Sequence, residues 1–235
     1  MPAPEAPPDT TALLRQLELQ LRETLPDAGI EVYVPTAVDW LRLALINADY
    51  QTGPLPQEVM HAVIARPAYW AFCWGSGLAL ARWLAQHPEA VAGKRVADLG
   101  SGCGIGAVAA VMQGAASVWA CDNDQHALQA TAANAALNGL TTEDVQLVDD
   151  LAKLPDVDVL LMADVLYDRS NYPLVAAAKH KCQQMIIADS RIDTLADPEF
   201  EEFAMLEALT LPNLGEFDEF KNVRFFRWSA TAGVH

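Results

Sequence analysis

Residues 96–110 read VADLGSGCGIGAVAA: an apolar run carrying Asp98, glycines at 100, 102, 104 and 106, then an alanine-rich stretch. Glycine adopts positive φ and lets a ligand approach the backbone with no Cβ between them. A helix opening directly after such a loop has N–H groups without intrahelical partners, so it can turn donors toward a ligand. The stretch reads as a cofactor loop, since a plain strand-to-helix turn needs one glycine rather than four. From Gly102 the segment GCGIGA also fits the dinucleotide pattern G-x-G-x-x-A. Asp98 argues against that cofactor: a carboxylate is unfavourable beside a pyrophosphate and favourable beside an ammonium or sulfonium. The loop also lies far into the chain instead of opening a dinucleotide domain. Asp122 follows the loop by roughly 20 residues, where a carboxylate accepts from both hydroxyls of a ribose. A nicotinamide-dependent enzyme stays a minor alternative on glycine spacing alone. Cys103, inside the loop, reads as a small packing residue rather than a nucleophile.

These residues need a scaffold that gathers them. KRVADLG (94–100), SVWACD (117–122), DVQLV (144–148), VDVLLMAD (157–164) and QMIIADS (184–190) read as short buried strands. Between them, GIGAVAAVMQG (104–114), DQHALQATAANAALNG (124–139) and NYPLVAAAKHKC (171–182) read as helices, the first two stopped by glycine. GLALARWLAQHPEAV (77–91) reads as a helix closed by His87-Pro88. DPEFEEFAML (197–206) reads as a helix, and ALTL (208–211) with NVRFFRW (222–228) as a closing pair of strands. The expectation is an α/β fold with a doubly wound, mostly parallel, seven-stranded sheet. Such sheets bind ligands at the carboxyl ends of their strands, so the residues that end each strand are the ones to inspect.

Residues 1–66 read as an N-terminal extension or lid, and 67–235 as the ligand-binding domain. Leucines at 13, 14, 17 and 21 predict a helix over 11–24, residues 31–60 read as irregular, and the prolines of MPAPEAPPDT predict a frayed lead-in. That lead-in lacks the basic start and apolar core of a signal peptide. The most apolar window, 104–121, is broken by Gln113, Gly114 and Ser117 and reads as helix, turn and strand instead of a membrane span. Four cysteines without metal spacing point to reduced thiols, hence a cytoplasmic chain. The five histidines show no ligand spacing. A formal net charge of −16 argues against nucleic acid and favours a basic, lysine-bearing partner.

The glycine motif and what surrounds it resemble the seven-strand (class I) S-adenosylmethionine-dependent methyltransferases, whose first motif runs D-x-G-x-G-x-G. More narrowly, the sequence is similar to the protein-lysine methyltransferases that act on the electron-transfer-flavoprotein β-subunit. The matching stretches are PAYWAFCWGSGLALARWLAQHPEAVAGKRVADLGSGCG (67–104), WACDND with its following helix (119–138) and DVLYD (164–168). The resemblance implies a Rossmann-like methyltransferase fold, S-adenosylmethionine as donor, S-adenosylhomocysteine as product and no metal. It places Gly100, Ser101 and Gly102 along the donor's amino-acid end and Asp98 at its ammonium, with Gly104 a further cofactor-binding residue. Asp122 would hold the ribose, Asn123 would sit beside the adenine, and Asp149 or Asp150 would accept from the adenine amino group. Trp74 would cover the methionine portion, with Asp164 and Tyr167 flanking the methyl-acceptor channel. Where those relatives carry an Asp-Pro-Gly-Arg turn, this chain has Asp189-Ser190-Arg191. Arg191 itself reads as a surface ion-pairing residue.

The implied activity is methyl transfer to a protein lysine, with Asp164 docking the incoming ammonium and Tyr167 walling the channel. Electron-transfer flavoprotein is the substrate that the resemblance suggests. The alternatives are a small-molecule N-methyltransferase with the extension as lid, and a non-catalytic cofactor-binding module.

Overall fold

The computed structural model describes residues 10–50, 56–214 and 218–230; the lead-in expected to fray falls, but for Thr10, outside them. Helix α1 (Thr11–Thr24) forms where expected and buries Leu17 and Leu21 on one face. Strands β1 (Ile30–Tyr33) and β2 (Leu43–Ile46) then pair antiparallel, and α2 (Gln57–Ala65) follows. The stretch read as irregular is therefore ordered over these elements. Four-residue strands are too short for an alternation pattern to stand out, and β2 is buried at every position, so it has none.

The remaining elements alternate. They are α3 (Gly75–Gln86), β3 (Arg95–Leu99), α4 (Ile105–Met112), β4 (Ser117–Cys121), α5 (Gln125–Leu137) and β5 (Val145–Val148). Then come β6 (Val157–Ala163), α6 (Tyr172–Lys179), β7 (Cys182–Asp189), β8 (Glu201–Glu207) and β9 (Asn222–Ser229). Seven strands form one sheet in the order β5-β4-β3-β6-β7-β9-β8. The five from β3 to β7 run parallel, and β9 lies antiparallel between β7 and β8. Alternation along β3 sends Val96 to the core shared with α3 and α4, and Ala97 and Leu99 to the opposite core. The doubly wound, mostly parallel seven-stranded sheet is as the sequence predicts. Its strand order reverses between β3 and β6, which opens a crevice above their carboxyl ends.

Two local expectations fail at the sheet's edge. Residues 197–206 do not form a helix; EEFAMLE is strand β8. Its glutamates and small apolar residues favour a helix locally. Pairing with β9 overrides that preference, because Glu201 meets Arg227 at 2.9 Å and Glu202 meets Arg224 at 3.0 Å across the ladder. ALTL is not a strand. Leu211 instead makes an isolated two-way bridge to Cys73, which holds this segment against the start of α3.

The extension docks on α5 through polar side chains one turn apart. Asn134 accepts from the Ala44 N–H at 2.6 Å and donates to the Cys103 carbonyl at 2.8 Å, joining β2 to the glycine loop. Asn138 both accepts from and donates to the Arg42 backbone, at 2.9 and 2.7 Å. Replacing the buried Asn134 by Ala strands one N–H and one carbonyl, each worth about 1–3 kcal/mol. Asn134→Ala should therefore lower unfolding stability by about 2–5 kcal/mol in a urea titration, and more than Asn138→Ala at the solvent-facing end.

Candidate functional site

A cavity of about 760 Å³ opens above the carboxyl ends of the parallel strands. Gly100 and Gly102 line it from the loop after β3, Asp122 and Asn123 from the end of β4, and Asp149 and Asp150 from the end of β5. Asp164 and Tyr167 enter from the end of β6, and Trp74 from the start of α3. Asp98, Ser101 and Gly104 do not line it. Asp98 lies beneath the loop, and Ser101 and Gly104 belong to it and help to shape it.

The loop is held by its own neighbours. Gly100, Gly102 and Gly104 have φ of 74°, 53° and 81°, a region that penalises any Cβ. At Gly104 a Cβ would also meet the Thr131 backbone at 2.8 Å, whereas at Gly102 it would meet nothing within 4 Å. The Gly100 N–H donates to the Cys121 carbonyl, that of Gly102 to Asp122 Oδ2 at 2.9 Å, and that of Gly104 to the Ser101 carbonyl. The Ser101 hydroxyl meets Thr131 Oγ1 at 3.2 Å. The amides of Gly100, Gly102 and Gly104 are thus engaged within the protein.

Asp98 is 2% exposed and accepts from the Ala107 N–H of α4 at 2.8 Å. Gly106 makes this possible, because a Cβ there would lie 2.7 Å from the carboxylate. Burial pushes the Asp98 carboxyl up to about 7, and one N–H donor opposes it only partly. Asp122 accepts from the Gly102 and Asp124 N–H groups and is also raised by burial. Asp149 pairs with Lys153 at 2.7 Å, which holds it below the usual carboxylate range, while Asp150 accepts from the Ala152 N–H.

Asp164 takes φ of 51°, the left-handed region that aspartate tolerates better than most residues. Its carboxylate accepts from the Ser76 hydroxyl at 2.6 Å, the Ser76 N–H at 3.0 Å and the Ser190 hydroxyl at 3.1 Å. Burial raises it, and those donors pull the other way. Beside it, Asp189 is fully buried and pushed up to about 6 by burial first and the Asp164 charge second. At the mouth, the exposed rings of Tyr69 and Tyr167 meet edge to face at 5.5 Å, and Tyr69 meets Trp74 at 5.8 Å. The Trp74 indole N–H donates to the Tyr69 carbonyl at 2.9 Å, which sets the ring's orientation.

Sequence reasoning did not single out Tyr69, Ser76, Thr131 or Ser190. Tyr69 and Ser76 lie inside the quoted stretch 67–104 and Ser190 within the noted departure, but none has a spacing of its own. Among the described residues, no group of three or more His, Cys, Asp or Glu side chains could hold a metal ion. No helix among them is long and apolar enough to cross a membrane.

A family model described as ribosomal protein L11 methyltransferase (PrmA) matches residues 80–172. The electron transfer flavoprotein beta subunit lysine methyltransferase of Danio rerio is 34% identical over 146 residues, covering 62% of this chain and 50% of that protein. The protein of the same name from Homo sapiens is 42% identical over 101 residues, covering 43% of this chain and 38% of that one. This chain spans about half the length of these curated relatives. Magnesium protoporphyrin IX methyltransferase of Synechocystis PCC 6803, solved with bound SAH, superposes with a TM-score of 0.50 at 14% identity, covering 77% of this chain and 91% of that chain. The chain has the Rossmann-like methyltransferase fold. It resembles the class I S-adenosylmethionine-dependent methyltransferases and, among them, the flavoprotein lysine methyltransferases.

The raised carboxyl of Asp98 has a consequence for stability. Unfolded, it titrates near 3.9. Between about pH 4 and 7 the folded chain holds a proton that the unfolded chain has released, so this group's contribution to stability declines as pH rises through that window. Asp98→Asn keeps an acceptor for the Ala107 N–H and removes the titration. The rise in melting temperature from pH 8 to pH 5.5 should be smaller in Asp98→Asn than in the parent, with Asp189 supplying part of what remains. Equal rises would show that Asp98 ionises as an ordinary carboxylate.

Proposed function

We propose that the chain is an S-adenosylmethionine-dependent N-methyltransferase that modifies a lysine side chain of a protein substrate. The observation that carries this reading is the cavity itself, whose floor is glycine backbone and whose rim is a set of carboxylates ending successive strands. Its volume lies within the roughly 300–1,000 Å³ of small-molecule sites, and its charge suits a cationic donor. When bound, that donor supplies an electrophilic methyl group on a sulfonium. In this reading Asp122 accepts from the ribose hydroxyls, Asn123 lies beside the adenine, and Asp149 or Asp150 accepts from the adenine amino group. Gly100 and Gly102 face the amino-acid end under Trp74. Asp98 acts one layer below by holding the start of α4, and Ser101 and Gly104 hold the loop in shape.

The acceptor must arrive as a neutral amine. At pH 7 a free lysine is about 3.4 units below its pKa, so freeing its lone pair costs about 4.6 kcal/mol. Asp164 docks the arriving ammonium, and the two serines that bind its carboxylate fix its direction. The proton then leaves to water, and the aromatic walls of Tyr167 and Tyr69 keep the amine in line with the methyl group. The chemistry calls for no metal. A net charge of −16 suits a basic protein partner, and the names of the curated relatives point to electron-transfer flavoprotein. The division at residue 66 belongs to the same reading, since among the described residues none before Tyr69 lines the cavity. So does a cytoplasmic setting, which the four free cysteines favour.

Incubating the purified chain with tritium-labelled S-adenosylmethionine and a lysate of the strain lacking it should label a protein band, with the methyl group found on lysine by mass spectrometry. Label confined to small solutes would replace the protein acceptor with a metabolite, and no label at all would leave a binding module. Asp164→Asn suits the left-handed backbone and should lower kcat at least tenfold while donor affinity changes less than threefold. Unaltered turnover would remove Asp164 from the acceptor site.

A further inference from the structure

The segments that meet at the mouth of the cavity differ sharply in charge. From Asp122 to Asp168 the chain carries ten Asp or Glu residues against a single Lys, and Asp122, Asp124, Asp149, Asp150 and Asp164 among them line the cavity. Between Pro56 and Ser76, by contrast, the only acidic residue is Glu58 and the only Lys or Arg is Arg66, which pairs with Glu23 at 3.2 Å. Helix α2 lies in that second stretch. Val59 and Val63, four apart on one row of the helix, pack against the core that holds Trp70, and Trp70 lines the cavity. The adjoining row, Met60 and Ile64, is turned outward, and Ile64 is 72% exposed. Four residues beyond the helix the exposed ring of Tyr69 stands at the cavity's edge, where it meets Tyr167. Exposed Tyr172 falls between cavity-lining Asn171 and Leu174. Exposed apolar side chains gathered beside a polar rim mark an interaction site, whereas single ones do not.

We propose, on the basis of the methyltransferase reading above, that the outer row of α2, with Tyr69, Tyr167 and Tyr172, is the docking surface of the acceptor protein. It takes an apolar patch next to the target lysine, while basic residues around that lysine face the carboxylates across the mouth. Charge selects this occupant. A second copy of the chain, itself at −16, would bring like charges against the aspartates, whereas a protein with a basic surface is drawn to them. The carboxylates steer the encounter, and apolar burial on α2 holds what they have steered. The extension is then a platform for the acceptor and not a lid over a small molecule.

Two measurements on the full chain test this: tritium labelling of the lysate of the strain lacking it, and calorimetry with S-adenosylhomocysteine. Met60→Ser/Ile64→Ser changes two exposed side chains, which ordinarily alters stability little. It should slow labelling of the protein band about tenfold or more in dilute lysate, recover in part as the lysate is concentrated, and bind S-adenosylhomocysteine within twofold of the parent. Ile64→Lys should label more slowly than Ile64→Glu at low salt, and this pair serves alone if the double variant fails to fold. Equal labelling by parent and variants in dilute lysate would overturn the docking surface, and so would a faster Ile64→Lys. A matching loss of S-adenosylhomocysteine affinity would make α2 a support of the cavity and overturn it as well. Sedimentation that finds the parent dimeric and the double variant monomeric would give this face to a second copy instead. A parent that binds S-adenosylhomocysteine yet labels no band would strike the surface together with its protein acceptor, and one that does not bind it would defeat the methyltransferase reading itself.

Discussion

Each of the five parallel strands carries an aspartate at or next to its carboxyl end, and at the largely buried ones, Asp98, Asp122, Asp164 and Asp189, desolvation must be offset for the edge to exist at all. The offset comes from backbone N–H groups. Ala107 donates to Asp98, Gly102 and Asp124 to Asp122, Ala152 to Asp150, Ser76 to Asp164, and Leu166 and Arg191 to Asp189. Each such bond also fixes where a loop begins. The carboxylates are therefore the attachment points of the site's loops as well as its charges, and the glycines are what allow those loops to come close enough. Gly106 shows the dependence most directly, because any larger residue there would displace Asp98 from the helix it anchors.

The compensation is incomplete. Asp98 and Asp189 are pushed up to about 7 and about 6, and Asp122 and Asp164 are raised by burial despite their donors. A cationic ligand supplies the missing counter-charge, so the edge is poised to gain from a sulfonium and ammonium arriving in the crevice.

The aromatic rim belongs to a different part of the chain. Tyr69 and Trp74 precede the sheet, while Tyr167 follows β6, and they meet only because α3 begins where β6 ends. The carboxylate of Asp164 joins the two by accepting from Ser76 at the first turn of α3. A cavity-lining carboxylate and a helix anchor are one group here, so the shape of the cavity is tied to helix packing.

Sequence alone determined the order of strands and helices from α3 to β7, the glycine loop, and the carboxylates Asp98, Asp122 and Asp164 at their strand ends. These follow from short-range rules: buried runs, glycine stops, and a cofactor loop denser in glycine than a turn requires. Tertiary structure alone decided that EEFAMLE is a strand, since the arginines that hold it lie more than twenty residues away on β9. It decided that Asp98 turns beneath the loop and away from the cavity, because Gly106 leaves room on that side only once α4 is in place. It also placed Arg191 at the rim, where only the folded sheet brings the end of β7 beside Trp74. Local preference is written into neighbouring residues, whereas the partner that overrides or redirects it comes from elsewhere in the chain and is known only once the chain has closed on itself.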